Sequence, residues 1–352
     1  MSSRVLFLLK RREDVSEHPS YSQHGISTGL LNSATFMHDM LVEAGVESQL
    51  KVVIDNNCID RAVTQYKPTH VIIEALWVVP EKFDILQKLH PNVTWIIRFH
   101  SETPFIASEG IAMRWLHGYV KHPNVVVAAN APRFMAEMQQ VLAASGLTRK
   151  QIKDKLIYLP NYYPVGNVVS VKPKTHNDVI NISCFGAVRP LKNHLLQAVA
   201  ALEFAESIGK KLHFHINVGR VEMKGDPILH NIQGLFAGLE HKGHKLITHQ
   251  WSPHAEFLEV IAGIDIGMQV SFSETFNIVA ADMITSGVPV VMSSEVPWAI
   301  AGLANPVESK HIVTKLKLTW LFRQLNVTLN TLALKCYVNK TRRKWLKYFN
   351  QK

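Results

Sequence analysis

Residues Ser273–Val291 read SETFNIVAADMITSGVPVV, and their spacing decides which fold the chain is expected to have. The strand-like run IDIGMQV ends two residues before this stretch, so Glu274 lies in the loop beyond a strand's carboxyl end. Helical spacing predicts a helix over about residues 276–286, and a following glycine can terminate it. Asp282 lies well inside that helix, with seven residues between it and Glu274.

The distance between these two acids indicates what they can bind. At a rise of about 1.5 Å per helical residue, the carboxylates of Glu274 and Asp282 should lie roughly 8–12 Å apart. That is too far for one metal ion or a shared proton, but it suits two parts of one long ligand. Free N–H groups at the helix N-terminus between them suit an anion, as in a nucleotide sugar. The simpler interpretation is an acid favoured by the helix dipole and one exposed aspartate.

Composition limits the class of protein. The chain has 352 residues, 47% hydrophobic and 19% charged, which fits two folded domains rather than a disordered protein. No run approaches the roughly 20 apolar residues of a membrane span, and the early run VLFLL is too short for a signal peptide, so it is interpreted as a strand. The three cysteines are widely spaced, the histidines show no standard zinc ligand set, and no Asp-x-Asp occurs. These features favour a cytoplasmic protein without a metal site.

The net charge of +10 is concentrated at the C-terminus. Residues 311–352 contain ten Lys and Arg and no Asp or Glu, so the rest of the chain is formally neutral. Such a segment suits the phosphates of nucleic acid or anionic lipid headgroups. The alternative is an ordinary solvated helix face. Aromatic residues within it are Trp320, Phe322, Trp345, Tyr348 and Phe349.

Short apolar runs alternate with helical segments along the chain. Runs such as THVIIEAL and NVVVAAN are typical of strands in a parallel α/β sheet. The polar stretch VKPKTHND divides the alternation into two series. We therefore expect two Rossmann-like, doubly wound domains that face a cleft, over residues 1–165 and 175–310, followed by a basic helical segment over 311–352. Ligands of such sheets bind at the carboxyl ends of strands.

The segment quoted above resembles the E-x7-E signature of retaining GT-B glycosyltransferases of the family 4 type, E-G-F-G-L-x-x-x-E-A-M-A-x-G-x-P-V-V. Thr275 and Asn277 replace two glycines, and Asp282 replaces the second Glu. The resemblance implies that Glu274 contacts donor-sugar hydroxyls, that Asp282 contacts the ribose, and that the loop between them binds the donor. The matching or replacing residues are Glu274, Thr275, Phe276, Asn277, Asp282, Met283, Gly287, Pro289, Val290 and Val291.

A second stretch, FGAVRPLKNHL, resembles the same family's G-R-x-x-x-x-K-G. Gly186 and Lys192 keep the six-residue offset, whereas the arginine is displaced to Arg189. The resemblance implies that Gly186 approaches the donor and that Lys192 and Arg189 neutralise its diphosphate. Fixed cations stabilise a leaving group that gains negative charge, without a metal. The alternative is two surface cations before a helix.

Two weaker similarities lie in the first domain. VTWIIRFHSE ends a strand near His100, where the family often has a histidine that reaches the donor sugar; a structural histidine is the alternative. HGISTG places Gly25 and Gly29 before a helix, where the family has a glycine-rich turn facing the diphosphate or acceptor. A hydrolase elbow at Ser27 is disfavoured, because a long polar stretch separates it from the first strand.

The resemblance implies a retaining, metal-independent transferase from phage or bacteria, with last helices that cross back to the first domain. Its co-substrate would be a nucleotide-diphosphate sugar, with UDP-sugar favoured, and it would hold no bound cofactor. A cell-surface or lipid-linked glycan made at the inner membrane face is favoured as acceptor over DNA with hydroxymethylated pyrimidines. A sugar-nucleotide epimerase and a binding protein without turnover remain as alternatives.

Overall fold

A computed structural model of the chain describes residues 3–10, 28–166 and 178–350. The described residues form two compact units. The first unit comprises residues 3–10, 28–164 and 338–350, and the second comprises 165–166 and 178–337. Each unit contains a six-stranded sheet in which every pair of neighbouring strands is parallel. The expected doubly wound α/β class is therefore confirmed.

The first sheet has the strand order β2-β1-β3-β4-β5-β6. Its first strand is the run VLFLL, whose five side chains are all buried because helices cover both faces of the sheet. The elements are β1 Arg4–Lys10, α1 Thr28–Glu43, β2 Glu47–Val53, α2 Cys58–Tyr66, β3 His70–Glu74, α3 Phe83–Leu89, β4 Thr94–Arg98, α4 Thr103–Ile106, α5 Ala112–Tyr119, β5 Val125–Ala129, α6 Pro132–Ala144, α7 Arg149–Lys155 and β6 Leu156–Tyr158.

The second sheet has the strand order β12-β11-β10-β7-β8-β9. The helix predicted from the opening stretch is present as a shorter element, Ile278–Thr285. The elements are β7 Val179–Cys184, α8 His194–Ser207, β8 Lys211–Asn217, α9 Asp226–Ala237, β9 Lys245–His249, α10 His254–Ala262, β10 Ile266–Gln269, α11 Ile278–Thr285, β11 Val290–Ser293, β12 Leu303–Ala304, α12 Ser309–Leu321 and α13 Arg323–Phe349.

The last helix, α13, begins in the second unit and ends in the first, as expected for a chain that crosses back. In the first unit, the buried Trp345 stacks on Phe7 with ring centroids 6.1 Å apart. Its indole N–H donates to the carbonyl oxygen of Pro160 at 2.9 Å. The end of the chain is thus part of the first core. Within the described ranges, no helix is both long and apolar enough to cross a bilayer.

In each sheet the chain reverses its direction of strand addition once. The reversal lies between β1 and β3 in the first sheet and between β7 and β10 in the second. Loops that follow the two strands at such a point run to opposite sides of the sheet and leave a crevice, which is where ligands of doubly wound sheets bind. The side chains at these two points are therefore the first to consider for function.

Candidate functional site

The switch point of the second unit brings together two residues that lie far apart in the sequence. Lys192 follows β7 and Glu274 follows β10, and Lys192 Nζ lies 2.5 Å from Glu274 Oε1. Their side chains are 13% and 8% exposed, so the pair is sheltered but solvent still reaches it. The two strongest functional candidates from the sequence thus form one site, 82 residues apart along the chain.

The loop after β7 requires glycine at position 186. Gly186 has a φ of +119°, a region that side-chain-bearing residues rarely adopt. Its N–H donates to Asn217 Oδ1 at 3.0 Å, and a Cβ added there would lie 3.9 Å from Lys192 Cε. The chain then makes a short 3-10 turn over Pro190–Lys192 and enters α8. This path directs the lysine toward the crevice.

The loop after β10 shows why an asparagine can replace a family glycine. Asn277 has left-handed backbone angles, φ 66° and ψ 84°, which asparagine tolerates better than most residues. Its Oδ1 caps α11 by accepting from the N–H of Ala280 at 2.9 Å. Its Nδ2 donates to Glu274 Oε1 at 3.0 Å and to Gln269 Oε1 at 2.9 Å. Asn277 therefore keeps the backbone turn and also orients the glutamate.

The two loops are joined by buried amide side chains that sequence reasoning did not single out. Gln269, at the end of β10, donates to the carbonyl oxygen of Phe185 at 2.9 Å. Gln197 of α8 accepts from the N–H of Val270 at 2.8 Å. Asn193 donates to the carbonyl oxygen of Val270 at 3.1 Å. The only signal in the sequence is a polar residue at the end of an apolar run, which does not reveal its partner.

Phe276 and Thr275 differ in what they offer to a ligand. The Phe276 ring is buried against Trp298 and Tyr337, with ring centroids 6.1 and 5.7 Å away. Only its backbone is therefore available to a ligand at this loop. Thr275, in the same loop, is only half-buried, so part of its side chain is open to solvent.

Asp282 is not the exposed acid that the simpler interpretation of the motif requires. It is 1% exposed, and its Oδ1 accepts from His254 Nε2 at 2.8 Å. The hydrogen bond to Asp282 raises the pKa of His254 above its ordinary value, although burial acts in the opposite direction. His254 opens α10, and no pattern in the sequence selects it.

Arg189 belongs to a second ionic group. Its Nη1 lies 3.5 Å from Glu222 Oε2, while Arg220 Nε donates to the other oxygen of Glu222 at 2.5 Å. The positive charges of Lys192 and Arg189 also disfavour protonation of His194, the first residue of α8. Burial, with these two cations, lowers the pKa of His194 to about 3. His194 is fully buried, and neither ring nitrogen has a hydrogen-bond partner within the described parts of the chain.

A different group of charges lies at the carboxyl ends of β3 and β4 in the first unit, next to its switch point. Glu74 ends β3 and Arg98 ends β4; both are fully buried, with Arg98 Nη1 3.0 Å from Glu74 Oε2. His100 Nε2 bonds to the same Glu74 oxygen, and its side chain is 17% exposed. Arg98 also donates to the carbonyl oxygen of Leu159 at 3.2 Å.

The charges of this group follow from their surroundings. Burial alone would raise the pKa of Glu74, but Arg98 and His100 outweigh it and hold the pKa below its ordinary value. Burial lowers the pKa of His100 despite the attraction of Glu74. At neutral pH an ionised Glu74 therefore accepts Nε2–H from a neutral His100. The glutamate of THVIIEAL is a residue that sequence reasoning missed.

Of the two glycines expected near the first switch point, the structure describes Gly29 only. Gly29 lies in the first turn of α1 and is exposed, with open space where a Cβ would lie. Gly25, like Ser27 of the disfavoured hydrolase elbow, lies outside the described residues. The glycine loop therefore stays a prediction.

No protein-family model and no curated protein matches the chain. Solved structures do match. The E. coli trehalose-6-phosphate synthase bound with UDP-2-fluoro glucose has a TM-score of 0.70 at 11% identity, over 99% of each chain. The Anabaena protein HepE with UDP and glucose gives 0.63 at 12% identity, over 99% of this chain and 100% of that one. Thermosynechococcus elongatus sucrose-phosphate synthase gives 0.66 at 11% identity, over 99% and 98%. The likeness shows that the chain has the GT-B fold of two Rossmann-like α/β domains.

Proposed function

We propose that the chain is a glycosyltransferase that moves a sugar from a nucleotide-diphosphate donor to an acceptor hydroxyl. The observation that carries this proposal is the Lys192–Glu274 pair at the switch point of the second sheet. A cation and a hydrogen-bond acceptor at one point suit a ligand with phosphates beside sugar hydroxyls. Two of the similar proteins, the E. coli synthase and HepE, were solved with UDP-2-fluoro glucose and with UDP and glucose.

In this proposal, each residue of the second unit has one task. Glu274 accepts hydrogen bonds from donor-sugar hydroxyls, and Asn277 holds the Glu274 oxygen in place. Lys192, with Arg189, stabilises the charge that develops on the departing diphosphate. The resemblance assigns the ribose contact to Asp282, which is 1% exposed and would have to exchange its hydrogen bond with His254 for one with the ribose.

Further roles are proposed for the donor loop and, separately, for one residue of the first unit. Gly186 lets the donor approach the backbone, and Thr275 and the backbone of Phe276 line the donor. The resemblance assigns the donor sugar to His100, which is held by Glu74. The donor is proposed to be a UDP-sugar.

The proposed reaction retains the configuration at the sugar carbon and is independent of metal. The acceptor hydroxyl attacks from the face that the diphosphate leaves, forming the new C–O bond as the bond to the phosphate oxygen breaks. The departing phosphate oxygen takes the proton of the acceptor hydroxyl. Lys192 and Arg189 supply the positive charge that this transition state needs, so no side chain acts as a base.

The acceptor is proposed to be a cell-surface or lipid-linked glycan, made by an enzyme that acts at the inner face of a membrane. A DNA acceptor is the second candidate, because residues 311–352 carry ten Lys and Arg and no acid. Binding through several phosphate contacts would then weaken steeply as the salt concentration rises.

The test is a panel of nucleotide sugars, read as thermal stabilisation and as slow hydrolysis of the donor with and without chelator. We expect one donor to stabilise the protein and Glu274→Ala to abolish that effect. Glu259→Ala, which removes an exposed acid of α10, is the matched control and should respond as the parent does. If no nucleotide sugar stabilises the parent protein, the proposed function is wrong.

A further inference from the structure

The junction of α12 and α13 exposes a group of large apolar side chains. Leu318, Leu321, Phe322 and Leu325, here termed the corner patch, are between 45% and 63% exposed. They lie within eight consecutive residues, where α12 ends and α13 begins. Leu332, two turns further along α13, is 56% exposed. Single exposed leucines are common, but a contiguous group of this kind marks an interaction surface.

The corner patch lies on a positively charged face. Lys310, Lys317 and Leu321 recur at helical spacing along α12, so they share one side of that helix. Lys310 and Lys317 are exposed. From residue 309 to the end of the chain the sequence contains no Asp or Glu. The face therefore combines apolar side chains with exposed lysines, and α12 and α13 themselves contribute no acid to it.

We infer that the corner patch docks on an anionic lipid bilayer. Its apolar side chains would enter the boundary between headgroups and acyl chains, while Lys310 and Lys317 meet headgroup phosphates. Interfacial helices combine these two features, a cationic side and large apolar residues at one edge. Each lysine near an anionic surface contributes about fivefold to membrane partitioning.

Two other occupants fit the observations less well. A nucleic acid would satisfy the lysines but would leave four large apolar side chains against hydrated phosphates. A second copy of the chain would cover the apolar side chains, but a two-fold contact would bring the exposed lysines of the two copies close together. An anionic bilayer offers phosphates to the lysines and an apolar boundary to the corner patch.

This inference rests on the proposed function only in that it narrows the acceptor to one carried at a membrane. Vesicle binding is measured without nucleotide sugar or acceptor. Failure of the donor panel and failure of vesicle binding are therefore separate results.

The test compares co-sedimentation with vesicles of phosphatidylcholine alone and vesicles in which about a third of the lipid is phosphatidylglycerol. The parent protein should bind the anionic vesicles only, and less at high salt. The double variant Leu321→Ser/Phe322→Ser should bind at least about tenfold more weakly, since it removes two exposed apolar groups. Lys310→Gln/Lys317→Gln should weaken binding at low salt and have a smaller effect at high salt.

The matched control is Ile85→Ser/Leu89→Ser, which removes two side chains of α3 that are 53% and 54% exposed and lie outside the basic segment. It should bind vesicles as the parent does, and all variants should melt at the parent's temperature. Vesicle binding that survives Leu321→Ser/Phe322→Ser would overturn the inference. So would a concentration-dependent dimer, or binding to duplex DNA in place of vesicles, that this double variant abolishes.

Discussion

Each unit pairs an acid with a cation at the carboxyl ends of two neighbouring strands, but the two pairs differ in burial. In the first sheet the pair joins β3 to β4, next to the switch point; Glu74 and Arg98 are fully buried, and Arg98 also bonds to backbone. At the switch point of the second sheet, Lys192 and Glu274 remain partly reachable. The carboxyl edge of each sheet thus carries an ion pair, which is fully buried in the first unit and partly accessible in the second.

The difference in burial separates a positioning role from a binding role. A sealed ion pair has given up its water and is held by further hydrogen bonds, so removing one partner leaves an uncompensated charge. Glu74 and Arg98 therefore fix His100 and stabilise the first unit. Lys192 and Glu274 can exchange their mutual contact for contacts with a ligand, because solvent still reaches them.

The largest expected effect is on the sealed pair. Arg98→Met should lower the free energy of unfolding of the first unit by about 3–5 kcal/mol, because it leaves Glu74 buried without its main partner. Urea denaturation followed by Trp fluorescence measures this. The double variant Arg98→Met/Glu74→Gln should recover part of the loss, and a loss equal to that of an exposed arginine would contradict the sealed role.

The accessible pair should show the opposite pattern. Lys192→Ala should reduce turnover about 100- to 1000-fold, the usual effect of removing a group that stabilises a developing anion. Its melting temperature should stay close to that of the parent, since the pair is partly solvated. Lys245→Ala, an exposed lysine of β9, is the control. Full activity of Lys192→Ala would remove this residue from the proposed site.

Acid should destabilise the second unit through His194. The pKa of the folded-state imidazole is about 3, whereas an unfolded histidine titrates near its ordinary value of about 6.5. The unfolded chain therefore binds the proton first, and the free energy of unfolding falls as the pH drops below about 6.5. By pH 5 the loss should be about 2 kcal/mol.

His194→Leu should flatten this pH dependence, whereas His241→Gln, at an exposed site, should leave it unchanged. His215, whose pKa burial lowers to about 4, adds to the acid effect in both variants. Melting curves at a series of pH values measure the difference. A parallel pH dependence in parent and His194→Leu would exclude His194 as a cause.

The smallest expected effect concerns the residue that replaces a family glycine. Asn277→Gly keeps the left-handed backbone but loses the bond to Glu274, so it should raise the KM for the donor severalfold with little loss of stability. Asn277→Ala should also cost about 1–2 kcal/mol, because it loses the helix cap and strains the backbone. Equal KM values for parent and Asn277→Gly would mean that the amide does not orient the glutamate.

Much of the site was visible in the sequence because its members follow strands. The strands are recognisable as continuous apolar runs, since a parallel sheet is buried on both faces. Glu274, Lys192 and His100 each follow such a run, and residues in these positions meet at one edge of their sheet. Glu74 satisfies the same rule but could not be selected by it, since a single acid after a strand carries no motif.

The sequence is enough to predict the two parallel sheets, the loops at their carboxyl ends and the positive charge of residues 311–352. Local periodicity and composition carry this information. Three contacts emerge only when the chain is folded: Lys192 with Glu274, Asp282 with His254, and Arg189 with Glu222. Strand order sets these contacts, and strand order depends on pairing between distant segments. The exposure of the corner patch was likewise a tertiary outcome, because it depends on which helix faces the cores cover.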